Sequence, residues 1–139
     1  MQEIKKIAAL LLIIIGCIRA SYGDEAEKYS ACYKYTIYAG LNDRSQYRQI
    51  IRNKEAERII NQICSSHCSS YTLQRASGCW HDGRKLTKEN SFIIIILSDN
   101  EQEGAEKAQK IAEEITEQLN QSCVLIEKAE VTIKAVDHK

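Results

Sequence analysis

The chain has 139 residues, one domain's worth, with 44% hydrophobic and 27% charged residues, no proline, and 19 basic residues against 19 acidic ones. Setting aside Lys5, Lys6, Arg19 and Glu3 of the first 23 residues leaves 16 basic against 18 acidic, a charge near −2. That balance excludes the basic footprint of a nucleic-acid partner, and the apolar content excludes a disordered chain.

The first element is an export leader. "MQEIKKIAALLLIIIGCIRASYG" runs from paired lysines through an apolar stretch over residues 7–15 to small residues, the pattern of a signal peptide over residues 1–23. The apolar stretch is too short to read first as a spanning helix. Two exits are written into it. Ser21, Tyr22 and Gly23 suit an ordinary signal peptidase, whereas Ile14-Ile15-Gly16-Cys17 resembles a bacterial lipobox, in which the cysteine is acylated and becomes the first residue. The apolar run meets Gly16-Cys17 with no polar spacer, which favours lipidation at Cys17 and makes residues 24–31 a polar tether. The expected location is the cell envelope, held by a lipid anchor alone, or a secreted or periplasmic form if the other exit is used.

Residues 32–139 are expected to form a single α+β domain. "CYKYTIYAGL" alternates apolar and polar residues and gives a first strand over residues 32–39. A polar connection follows. Asn53 then serves as an N-cap, and Ala56, Ile59, Ile60, Ile63 and His67 recur at helical spacing, predicting a helix over residues 54–67. "YTLQRASGCW" is a second strand, turning at Asp82-Gly83 into a third, "SFIIIIL", apolar on both faces. Ser98 and Glu101 form a capping box for a helix over residues 99–120, whose apolar stripe is Ala105, Ala108, Ile111, Ala112, Ile115 and Leu119. The last strand begins at Cys123, and its apolar phase changes from even to odd positions, which predicts a bulge at residues 127–129. The order βαββαβ predicts a ferredoxin-like fold: an antiparallel sheet ordered 4-1-3-2 with both helices on one face.

Several short motifs along these elements carry a resemblance. Tyr38, Gly40 and Leu41 end the first strand, Gly78 and Trp80 end the second, and Glu89 and Ser91 open the third. In this pattern the chain resembles the bacterial family called domain of unknown function 3574, small exported proteins, over about Tyr35 to Lys128. The resemblance implies the fold and the envelope location, and it implies no activity. Asn90 stands where the family commonly has proline, and Cys79 is a further departure, so the loop there is expected to differ in shape.

Export places Cys32, Cys64, Cys68, Cys79 and Cys123 in an oxidising compartment, and five is odd. A zinc site would need Cys64, Cys68 and His67 to meet Cys79 and His81, which the strand lengths set far apart, so no metal is expected. Cys32 begins the first strand at the end of the sheet where the first helix finishes. A disulfide from Cys32 to Cys64 or Cys68 is therefore expected, closing a loop that would contribute about 3 to 4 kcal/mol. Buried, reduced thiols are the competing reading.

His81 and Glu89 are the catalytic candidates, an acid-base pair beside Trp80 as a stacking platform. The plainer account is turn chemistry at His81-Asp82-Gly83 and a solvated Lys88-Glu89 pair. No nucleophile-base spacing and no phosphate loop occurs, so the chain reads as non-catalytic and no cofactor is expected. The face of the sheet left bare by the helices is the expected binding surface. It carries Tyr38, Trp80 and one set of the third strand's apolar residues, either that of Ile94 or that of Ile95. A patch of this kind suits a second copy of the chain, a different partner or a small ligand, and a face-to-face homodimer is the preferred expectation.

If Cys17 is acylated, the protein partitions into detergent and takes up labelled palmitate, and a Cys17→Ser variant loses both. Mass spectrometry that finds only an unlipidated chain beginning at Asp24 would reject the anchor.

Overall fold

The computed structural model describes residues 29–81 and 83–137. The leader with Cys17, most of the tether and Asp82 lie outside the described residues. In chain order the elements are β1 (Ser30–Gly40), α1 (Asn53–His67), β2 (Thr72–His81), β3 (Leu86–Ser98), α2 (Glu101–Gln118) and β4 (Leu125–Ile133). The four strands form one antiparallel sheet in the order β2-β3-β1-β4, which is the expected order read from the other edge. Two compact units result. Cys32–Val131 is the larger, and among the described residues of the other the Lys134 ammonium stands 5.7 Å from the Tyr29 ring centre. Among the described residues no helix is long and apolar enough to cross a membrane.

The period of two along the central strands decides what each face of the sheet carries. On β1, Tyr35, Ile37 and Ala39 enter the core, and on β3 Phe92, Ile94 and Ile96 do so. They meet Ala56, Ile60, Ile63 and Cys64 of α1 and Ala108, Ile111, Ala112, Ile115 and Leu119 of α2. Ile94 is therefore not a surface residue: it is 0% exposed beneath the helices, and Ile93 takes the place expected of it on the open face. Truncating a site like Ile94 costs about 2 to 5 kcal/mol of core packing.

The same parity corrects the disulfide. Cys32 is three residues from Tyr35, an odd step that turns it to the other face, and it lies outside the cluster that holds Cys64. All five cysteines of the described residues are free, and no bridge joins Cys32 to Cys64 or Cys68. Burial pushes the Cys64 thiol up to about 12, with a smaller push from Cys68, whose own Sγ–H donates to the Cys64 carbonyl at 3.2 Å.

Three local expectations change with their reasons. Asn53 lies inside α1 with Arg52 as the capping residue, because its Oδ1 accepts instead from the Gln49 side chain at 2.6 Å. Asn100, not Ser98, caps α2, its Oδ1 accepting the Glu103 N–H at 2.9 Å, and Gly104 rather than the exposed Ala105 begins the buried stripe. β4 runs unbroken through its change of apolar phase. Lys128 lies over the Tyr33 ring and pairs with Glu101 on the helix side, while Glu127 turns to the other face and accepts from Tyr38. Each half of the strand thus shows its apolar residues to a different face, and no bulge is needed.

The connection from β1 to α1 is folded around one carboxylate. Asp43 Oδ1 accepts the N–H groups of Ser45 and Gln46 at 2.8 and 2.9 Å, and Oδ2 accepts from Asn120 Nδ2 at 2.7 Å. Asn120 has φ 49°, the left-handed conformation that ends a helix, so the end of α2 and this loop are tied together. The Asn120 hydrogen bond foremost, then the Ser45 N–H, holds the Asp43 carboxyl below its ordinary 3.8. A depressed carboxylate stabilises the fold above its unfolded pKa and loses that contribution as pH falls towards the folded value.

Two outcomes follow. Ala in place of Gly104 gains helix propensity, but its methyl would lie 2.5 Å from Tyr35 Cε2 and 2.8 Å from Ser98 Cβ, and the Tyr35 ring is held by its hydroxyl donating to the Glu101 carbonyl at 2.6 Å. Overpacking of about 1 to 3 kcal/mol exceeds a propensity gain of about 1, so Gly104→Ala lowers the unfolding free energy in urea, net by roughly 1 kcal/mol. Asp43→Ala is less stable than the parent at neutral pH, and thermal melts show the gap closing as pH falls below 3.8. A gap that stays constant with pH assigns the loss to something other than the charge.

Candidate functional site

The open face of the sheet carries a cleft of about 700 Å³ at the end where β1 stops and β2 approaches its hairpin. Its floor is set by strand register. Gly78 stands opposite Glu89, Ala76 opposite Ser91 and Gln74 opposite Ile93 across β2 and β3, while Tyr38 faces Ile93 and Gly40 faces Ser91 across β1 and β3. Glu89, Ser91 and Ile93 therefore project into the cleft from the central strand, flanked by Trp80 on one side and Tyr38 on the other.

Gly40 makes room for the Glu89 carboxylate, and Gly78 leaves the neighbouring strand bare beside it. The carboxylate lies over Gly40, where an added Cβ would stand 2.7 to 2.9 Å from its atoms, and beside Gly78, where an added Cβ would meet Glu89 Cγ at 3.9 Å. The Asn42 backbone N–H donates to Glu89 Oε2 at 3.4 Å, a long bond. Along one wall, Tyr38 donates its hydroxyl to Glu127 Oε2 at 2.6 Å, and this bond first, with partial burial, raises the phenol above its ordinary 10.0. The Asp43 loop brings Arg44 and Tyr47 to the rim, Tyr47 with φ 54° and 78% exposed, and the approach to β4 adds Cys123 and the strand's first residue Leu125.

Tyr38, Trp80 and Glu89 are thus brought together. His81 is not. It is one residue past Trp80 and opposite Leu86 in the ladder, so it projects from the other face, and its Nδ1 accepts the Gly83 N–H at 3.0 Å. The structure leaves Glu89 without that acid-base partner. Cys64, Cys68 and His67 end α1 on the helix side, where His67 Nε2 stands 2.6 Å from Glu114 Oε1. Among the described residues no three His, Cys, Asp or Glu side chains are placed to hold a metal ion. Arg44, Tyr47, Cys123 and Leu125 escaped the sequence reading. The one signal for the loop was Asn42-Asp43 directly after Gly40-Leu41, a turn-forming pair at a strand end.

No curated protein matches the chain. Among solved structures it is similar to a phage SAM lyase in its apo state, at 20% identity, covering 78% of this chain and 94% of that one with a TM-score of 0.55, a likeness of fold alone. The phage SAM lyase in complex with S-methyl-5'-thioadenosine aligns at 20% identity over 75% of this chain and 90% of that one, with a TM-score of 0.49. A de novo designed protein, Foldit4, aligns at 13% identity over 75% and 98%, with a TM-score of 0.41. The family described as protein of unknown function (DUF3574) matches residues 34–134, most of the chain, with the Tyr38, Trp80 and Glu89 positions inside the match, and the chain belongs to that family.

Proposed function

We propose that this protein is an exported binding module of ferredoxin-like topology, anchored by lipid at Cys17, that holds a small ligand in the cleft on its open sheet face. One observation carries the reading: a concave site of about 700 Å³, within the size range of small-molecule pockets, has a carboxylate on its floor and aromatic rings on its walls. The βαββαβ order and the antiparallel sheet support the topology. The leader supports export. Away from the cleft the same face carries Ile95 and the half-exposed Leu97, and there we place a homodimer contact.

The second reading is a small enzyme in the same cleft, with Glu89 as its acid or base and Trp80 as its platform. The likeness of fold to a phage SAM lyase favours it, and His81 has no part in it because it leaves from the opposite face.

Trp80 is the only tryptophan of the chain, so its fluorescence reports on the cleft. A panel of small metabolites is expected to yield a compound that shifts Trp80 emission in the parent and not in Ser91→Phe, which fills the floor; a shift that survives in Ser91→Phe places the ligand elsewhere. Turnover of S-adenosylmethionine, lost in Glu89→Gln, would replace the module by the enzyme. Sedimentation tests the second copy: a dimer at tens of micromolar that Leu97→Lys converts to monomer is expected, and a parent protein already monomeric rejects it.

A further inference from the structure

The cleft has a charge that the fold does not answer. Near it every other carboxylate is engaged: Asp43 takes two backbone N–H groups and the Asn120 amide, and Glu127 takes the Tyr38 hydroxyl. Glu89 has the Asn42 N–H at 3.4 Å as its hydrogen-bond donor, and among the described residues no lysine, arginine or histidine pairs with it. A carboxylate offers about four acceptor positions, so most of its capacity faces the cleft.

The backbone is arranged to keep it there. Gly40 and Gly78 are the two glycines of the open face, one under the carboxylate and the other across the ladder from it, and a side chain at position 40 would occupy the space the carboxylate fills. Glycine within a strand weakens it, and the close approach of the Glu89 carboxylate is at Gly40. The walls are aromatic. Trp80, 44% exposed, and Tyr38 stand to either side, and the exposed Tyr47 ring is at the rim. Aromatic faces attract cations and repel anions, as a carboxylate does.

We infer that the ligand of this cleft is a cation carried on a planar or apolar body, such as an arylalkyl ammonium or a sulfonium, with its charge on Glu89 and its body between Trp80 and Tyr38. The inference rests on the ligand-binding reading of the cleft and adds the sign of the ligand's charge. Arg44 at the rim leaves room for a further, acidic group on the same molecule, beyond the aromatic walls.

Three probes of matched size separate the charge from the body: phenethylamine, 2-phenylethanol and 3-phenylpropionate, each titrated into the full chain at neutral pH with Trp80 fluorescence as readout. Phenethylamine is expected to bind at least about tenfold more tightly than 2-phenylethanol, and 3-phenylpropionate more weakly than either. Glu89→Gln keeps the shape and brings phenethylamine down to the alcohol's affinity without changing the alcohol's. Gly40→Ala does the same by displacing the carboxylate, with circular dichroism reporting whether it is folded; if it is not, Glu89→Gln carries the test. Equal binding of amine and alcohol, or an amine preference that survives in Glu89→Gln, overturns the charge and leaves the cleft reading in place. No saturable change with any probe up to about 10 mM overturns both.

Discussion

The commitment of alternate β3 residues to the helices is the constraint on which the rest depends. Burial of Phe92, Ile94 and Ile96 against α1 and α2 removes their apolar surface from water, roughly 2 kcal/mol for each side chain. Once that choice is made, Ile93, Ser91 and Glu89 have no alternative but the opposite face. The ladder then selects Gly78 and Trp80 on one neighbour and Tyr38 and Gly40 on the other. The cleft is a by-product of packing elsewhere, in the sense that its membership is decided by residues that never touch it.

A carboxylate on a sheet face would ordinarily lie among neighbouring side chains that screen or pair it. Here Gly78 stands across the ladder on β2 and Gly40 lies diagonally on β1, and the loop beyond β1 is stiffened by Asp43 so that the Asn42 N–H points at the Glu89 carboxylate and Tyr47 stands at the rim. Tyr47 at a positive φ is strained for a bulky residue, and the Asp43 hydrogen bonds hold it in place. Strain, absent side chains and an unanswered charge occur together at one end of the molecule, while the helix face is packed in the ordinary way.

The sequence carried the architecture well, because periodicity reports on burial and burial organises the sheet. The four strands, two helices and their order were all visible in it, and it set Glu89 beside Trp80 at the hairpin corner and Tyr38 with Trp80 on the open face as separate groups. What it could not carry was the pairing of faces across strands. "FIIIIL" is apolar on both sides, so its own pattern leaves open which half faces the helices, and Ile94 and Ile93 differ only through the rest of the fold. Cys32 and His81 follow the same parity: each lies on the opposite face of the sheet from the partner suggested for it, which a flat diagram does not reveal. The loop residues Arg44 and Tyr47, Cys123 ahead of β4 and Leu125 at its start come from segments that only tertiary structure brings to the cleft.

β4 is an edge strand with little burial of its own, and such strands are the ones most able to slide. Its two central charges remove that freedom. Glu127 is engaged by Tyr38 on the open side and Lys128 by Glu101 and the Tyr33 ring on the helix side. Moving the strand by a single residue would turn every side chain to the other face, taking the Glu127 carboxylate from the Tyr38 hydroxyl and the Lys128 ammonium from Glu101 and the Tyr33 ring. One alignment satisfies both charges and its nearest competitor satisfies neither, so adjacent residues of opposite sign act as a key for the sheet's last seam, and Leu125 keeps its place beside the cleft.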